Sequence, residues 1–410
     1  KAGVPIQRFV DENTQKFLEL TKKLGCQFDV WQKGGDQKTH FPSSQKLWKL
    51  CEKDIYKKKY KGLYCVGCET FSEKEELNEN GECLEHPGKK LDEVEEENYF
   101  FKLSKYQDQL LKLIESDELE IVPDERKNEV LAFLKGGLQD ISISRSNERA
   151  KNWGVPVPGD DKQKIYVWFD ALNIYQSGIG FGWDEKKYNK WWPADVHVIG
   201  KGIIRFHAVY WPAFLLSAGL KLPKKIFVHG YYTVNGYKMS KTIGNVYDPV
   251  PLLEKYGADP LRYYCLAKTP PFTDGDFSEE KFIEAYNADL ANGLGNLVAR
   301  VAKLCERSSA QPSAHNAQYS KNNLVEAFRF DEALKEIWTW ISKLDQQIEK
   351  DQPWKLDNQD LEKVLVGYVE KIVKIAIALQ PFLPETSEKI LKQFEGPKIK
   401  SEAPLFPRIK

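Results

Sequence analysis

Val196-His197-Val198-Ile199-Gly200-Lys201-Gly202-Ile203-Ile204-Arg205-Phe206-His207 changes its periodicity partway along. The apolar-rich run from Val196 to Ile199 suits a short strand, a glycine ends it, and Arg205 to Ala218 continues at helical spacing. Ile165 to Phe169 repeats the device, with Asp170 as the polar break before helix-compatible sequence. Such alternation of strand and helix predicts a parallel α/β sheet. Ligands of these sheets bind beyond the carboxyl ends of the strands, which singles out Asp170, Gly200 and Lys201.

On the N-terminal side, Phe9, Phe17, Leu18, Leu20 and Leu24 predict a helix from Pro5 to Leu24 closed by Gly25, and Gln45 to Ile55 predicts a second. A cysteine- and charge-rich insert then runs to about Asp161, its acidic stretch Asp92 to Glu97 reading as a solvated face. From Glu279 onward the spacing is helical, as in Leu290, Leu294, Leu297 and Val301, or Leu334, Trp338, Ile341 and Leu344. An all-α bundle of four or five helices is expected there, with a loop at Ser308, Ser309, Pro312 and Ser313 after its first helix.

With 410 residues and 41% hydrophobic content the chain can bury two or three cores. Its 60 basic and 60 acidic side chains cancel, so any RNA contact has to come from local patches. No signal peptide or apolar run of membrane-spanning length is present, which makes the cytoplasm the expected compartment. Seven cysteines in so long a chain argue against a disulfide framework.

Gly236-Tyr237-Lys238-Met239-Ser240-Lys241-Thr242-Ile243-Gly244-Asn245 follows the β-prone run Ile226 to Val234. Two ammonium groups at i,i+3, a hydroxyl between them and glycines on both sides suit a loop that closes on a polyphosphate. From Lys221 to Lys241 there are five lysines and no acidic residue, so the local field favours an anion. A solvated lysine turn is the plain alternative. Met239, the only methionine, is expected in this polar loop rather than in a core.

Cys65, Cys68, Cys83 and His86 form C-x2-C-x14-C-x2-H, with Gly67 and Gly81 beside the two pairs. Four such ligands complete a tetrahedron and leave no open position, so the expected site is a structural zinc knuckle whose metal contributes to folding. A redox pair at Cys65 and Cys68, or coincidence among buried thiols, would give the same residues.

Trp168, Ala171 and Tyr175 can face one cavity, and Ile203 and His207 share a helix face at i,i+4. An indole, a small wall, a phenol and an imidazole suit an uncharged, polarizable thioether. Each could equally be plain core. Farther on, Asn296 and Arg300 project from one helix face, and Trp354 follows Pro353 at a helix boundary. An amide and a guanidinium that can hydrogen-bond base edges, with an indole that can stack, are what splayed single-stranded bases require, although a tryptophan after proline is also a packing anchor.

Together these segments, with Ile141 to Arg145, Tyr166 to Tyr175, His197 to Lys201, Phe206 to Pro212 and the lysine loop, resemble the methionyl-tRNA synthetases of class I over nearly the whole chain. The resemblance is to the bacterial and organellar type whose knuckle has three cysteines and one histidine. It implies a Rossmann-type parallel sheet carrying an inserted zinc-knuckle domain, followed by an α-helical anticodon-binding bundle. Boundaries are expected at 1–48 and 163–225 for the two parts of the catalytic domain, 49–162 for the insert, 226–280 for the stem-contact region with the lysine loop, and 281–410 for the bundle.

The same resemblance implies roles for individual residues. Lys238, Ser240 and Lys241 would act on the triphosphate, and Gly200, Lys201, His229, Gly230, Met239 and Val246 would bind ATP with them. Arg145, Trp168, Ala171, Leu172, Tyr175, Ile203 and His207 would enclose methionine, and Asn296, Arg300 and Trp354 would read the anticodon. Its reaction is the ATP- and Mg2+-dependent ligation of methionine to tRNA(Met), by a monomer that keeps one zinc.

Departures are plain as well. No His-x-Gly-His motif occurs, Lys33-Gly34-Gly35 replaces an Arg-Thr-Thr stretch, and Gly202 stands where an aspartate usually follows the lysine. The chain reads as lacking the segment that carries the family's first strand, and as inactive alone without it. A non-catalytic tRNA-binding module and a synthetase for another amino acid are the competing readings.

Overall fold

The computed structural model describes residues 3–65, 70–72, 77–83, 88, 90–234, 236–239, 244–308, 322–396 and 398–409. The chain forms two compact units: Asp29–Val228, and Lys1–Phe28 together with His229–Lys410.

The Asp29–Val228 unit is α/β. Strand Lys225–His229 lies between Glu120–Val122 and Val196–Gly200, with Ile226 opposite Ile121 in parallel register. The helix Trp211–Ala218 is apolar on every side and accordingly buried, with Trp211, Ala213, Phe214 and Leu215 fully enclosed. Phe214 meets Phe101 edge to face at 4.9 Å.

Ile165 to Phe169, expected as one strand, is divided. Strand Asp160–Ile165 pairs with Ser144–Ser146 and stops, and a helix spans Val167–Leu172. The Tyr166 N–H donates to the Ile143 carbonyl at 2.8 Å, while Asp170 N–H turns back to the Tyr166 carbonyl at 3.1 Å. Phe169 and Leu172, three apart, then both enter the core. A helical period already begins inside the apolar run.

The second helix runs from His40 to Cys51, earlier than the expected Gln45–Ile55. Its start is set upstream by Asp36, whose Oδ1 accepts from the N–H groups of Lys38 and Thr39. The acidic run lies in strand Asp92–Phe101, antiparallel to Ile55–Cys65, with Asp92, Glu93, Glu95 and Glu97 exposed as expected of a solvated face. Lys59 lies opposite Glu97 and Lys61 opposite Glu95. Opposite charges across the two strands favour this pairing, and Lys57 also reaches Glu97 at 3.7 Å.

In the other unit the helix Ile6–Lys23 ends at Gly25, whose φ of 69° fits the left-handed conformation expected of a helix stop. The β-prone run splits at Gly230 into Lys225–His229 and Tyr232–Val234. A Cβ on Gly230 would lie 2.0 Å from the Thr273 carbonyl oxygen, so only glycine allows this approach. Tyr232–Val234 then pairs with Tyr237–Lys238 and with Gly275–Asp276.

The expected helical bundle follows. Glu279–Ala285 continues through a π-helical stretch, Tyr286–Gly295, into Asn296–Arg307, and the longer helices Phe330–Asp351 and Asn358–Leu379 pack on each other, the second also against Pro384–Phe394. Leu290, Leu294, Leu297 and Val301 are all in its core. Ser309, Pro312 and Ser313 lie outside the described residues. Among the described residues, no helix is long and apolar enough to cross a membrane.

Candidate functional site

Trp168, Tyr175 and His207 converge as the sequence suggests. Tyr175 and His207 have ring centroids 5.7 Å apart, and Trp168 stands 6.4 Å from His207. His207 Nδ1 lies 2.9 Å from the Ile203 carbonyl oxygen, so Nδ1 carries the proton, and Nε2 accepts from the Tyr175 hydroxyl at 2.8 Å. The i,i+4 relation of Ile203 and His207 thus sets the tautomer. Burial pulls the His207 pKa down and pushes the Tyr175 phenol up to about 12, so both stay neutral near pH 7.

Two residues the sequence reading missed complete this cluster. Phe206 stacks flat on the Trp168 indole at 3.8 Å and covers one of its faces. His197 lies tilted against Tyr175 at 4.1 Å, and burial with His207 nearby takes its pKa to about 3. Alternation along Val196–Gly200 places His197 inward with Ile199, a signal present in the sequence. The π-helical turn Phe206–Tyr210 carries no comparable signal.

The remaining pocket candidates are distributed unevenly. Ala171 and Ile203 are half-buried, whereas Leu172 is fully inside the apolar core. Arg145 is also buried, donating from Nη1 to Ser142 Oγ at 2.9 Å and to the Ser144 carbonyl at 2.7 Å, with its guanidinium 4.4 Å from the Tyr166 ring. Gly200 ends its strand and Lys201 opens the following turn.

In the second unit Lys238 ends the hairpin strand Tyr237–Lys238, while Ser240 and Lys241 lie outside the described residues. Asp276 anchors this hairpin: its Oδ1 accepts from Thr233 Oγ1 and the Gly236 N–H, each at 2.9 Å. Lys281 at 2.8 Å and these donors hold the Asp276 carboxyl down at about 2. Met239 is not in a polar setting. Half-buried, it borders an apolar cavity of about 610 Å³ with Leu252, Leu261, Cys265, Phe277 and Phe382 and packs against the helical core, its N–H donating to the Tyr232 carbonyl across the hairpin. His229 Nδ1 donates to the Gly230 carbonyl at 2.8 Å, and Val246 is exposed.

Arg300 and Trp354 also meet, the guanidinium carbon 5.4 Å from the indole centroid. Asp345 at 3.0 Å and Glu349 pair with the same guanidinium. Asn296, one turn earlier on the helix, is exposed, as is Trp354. In the insert, Cys65 ends its strand and Cys83 pairs with Leu77 in an isolated bridge, both buried. Cys68 and His86 lie outside the described residues, and among those described no group of three or more such ligands assembles.

The comparisons with known proteins show the class to be that of the class I tRNA synthetases, an α/β fold. The model of the family described as tRNA synthetases class I (M) matches residues 1–302. A methionine–tRNA ligase of Thermotoga maritima is 41% identical over 96% of this chain, which spans 66% of that relative's length. One from Brucella melitensis is 38% identical over 97% of the chain and 81% of its own length. Methionyl-tRNA synthetase of Mycobacterium tuberculosis, solved with methionyl-adenylate, superposes with a TM-score of 0.89 at 34% identity, covering 99% of this chain and 88% of that one. The chain belongs to the methionine–tRNA ligase family.

Proposed function

We propose that this chain serves the ATP-dependent joining of methionine to tRNA(Met). The relation to the ligases named above supports it most strongly, and the Trp168, Tyr175 and His207 cluster is the local observation that carries it. Because that hydrogen-bond arrangement uses up the histidine acceptor and keeps both rings uncharged, the cluster favours an apolar, polarizable side chain over a charged one.

In the first step the methionine carboxylate attacks the α-phosphorus in line and pyrophosphate departs. Lys238, Ser240 and Lys241, with Gly200, Lys201, His229, Gly230 and Val246 about the nucleotide and Mg2+ on the phosphates, would stabilise the leaving charge. In the second step a terminal ribose hydroxyl of tRNA attacks the adenylate and releases AMP. Asn296, Arg300 and Trp354 would read the anticodon, and bases would compete with Asp345 and Glu349 for the Arg300 guanidinium. Cys65, Cys68, Cys83 and His86 would hold a zinc ion that ties the two turns of the insert together; the burial of Cys65 and Cys83 supports this donor set.

Pyrophosphate exchange by the protein extended through its upstream reading frame, with a panel of amino acids, tests the substrate. Exchange that depends on methionine, and falls by a few kcal/mol equivalent in Lys241→Ala, is expected. Exchange supported by leucine or cysteine but not methionine would refute the assignment.

A further inference from the structure

His40 has no role in any of the sites above, yet its side chain is wholly enclosed. Its ring touches both ends of one short segment: Nδ1 is 2.7 Å from Ser177 Oγ, and Nε2 is 2.9 Å from Asp170 Oδ1. Between those contacts lie Ala171, Leu172 and Tyr175. The histidine spans the segment that carries them.

More of the same helix turn takes part. Ser44 Oγ donates to Asp170 Oδ1 at 2.7 Å, and Asn173 Nδ2 donates to Ser43 Oγ at 2.8 Å and Ser44 Oγ at 3.2 Å. Residues 170, 173 and 177 stand at i, i+3 and i+7, one face of the helical segment, and they meet His40, Ser43 and Ser44 at i, i+3 and i+4 of another. Trp168, Ala171 and Tyr175 repeat the spacing on a different face, where Trp168 and Tyr175 approach His207. One face is a buried polar seam and the other is the proposed pocket wall.

Asp170 as a carboxylate can only accept, so attraction at Nε2 requires the proton there, and Nδ1 then accepts from the Ser177 hydroxyl. The other acceptor open to that hydroxyl, the Ile174 carbonyl, is farther away at 3.3 Å. The Nε2 approach to Asp170 is oblique rather than an aligned hydrogen bond, since Nε2 has no partner of good geometry. Apolar packing would tolerate small rotations of the segment. A chain of directed contacts does not, because each rotation strands a buried polar group.

We propose that His40 is a positioning residue: acting through Asp170 and Ser177, it fixes the rotation of the 167–177 segment and so sets Trp168 and Tyr175 against the amino-acid side chain. The proposal rests on the methionine-pocket reading. Its test therefore uses two readouts on the whole 410-residue chain, methionine affinity by equilibrium dialysis and amide hydrogen exchange across 167–177.

His40→Leu is expected to weaken methionine binding at least tenfold and to speed exchange in that segment. His40→Gln, whose amide can still donate to Asp170, should recover most of both. Ser177→Ala, which opens almost no cavity, should show a smaller loss in the same direction. Urea midpoints identify any variant that has merely lost its fold. Wild-type exchange rates and affinity in His40→Leu would overturn the proposal, as would a loss of the same size in His40→Gln. If the wild-type chain itself takes up no methionine, the pocket reading fails; the exchange readout still decides whether His40 fixes the segment.

Discussion

At the scale of single residues, the buried imidazoles bear on stability. His197 in the unfolded chain takes up a proton near its ordinary value of 6.5, whereas in the folded chain it does so only at about 3. Its contribution to stability is complete above about 6.5 and is lost as the pH falls toward 3, because the unfolded state then binds the extra proton. Each pH unit of that descent costs up to about 1.4 kcal/mol. Urea titrations at several pH values should show this slope, and His197→Phe, which keeps a ring beside Tyr175, should flatten it. An equal slope in both proteins would contradict the assignment of the effect to His197.

The partners of these residues were only partly legible in the sequence. Ile203 and His207 could be paired by spacing alone, and their hydrogen bond follows it. Phe206 could not be placed, because a π-helical turn changes which side chains share a face without leaving a mark in composition. Met239 misled for a related reason: polar neighbours in sequence say nothing about what a side chain packs on, and this one packs against the helical core.

Secondary-structure elements show the same division between local and long-range information. The helical bundle and its apolar spacing are plain in the sequence, since every signal is within four residues. The strand at Asp92–Phe101 is not, because its acidic residues make sense only beside the lysines of a strand some thirty positions earlier. At this scale Trp354, exposed after Pro353 and set against Arg300, is the sharpest target. Trp354→Ala is expected to weaken tRNA binding by about 1–3 kcal/mol, the range for loss of one stacked base. Methionine affinity should stay unchanged. Filter binding with tRNA(Met) checks the first and dialysis the second, and equal losses in both would point to misfolding.

For the molecule as a whole, family membership and the α/β unit followed by a helical bundle agree with the reading of the sequence. Zinc is a matter for direct analysis: one ion per chain is expected, and a chelator should unfold the insert while sparing the bundle's helical signal. A metal-free chain with a fully protected insert would contradict the knuckle. The ring cluster is proposed to select a thioether. Calorimetric titration of the chain with methionine, leucine and glutamate tests it most directly: methionine should bind at least tenfold more tightly than either. Equal affinities, or a preference for leucine, would contradict the account.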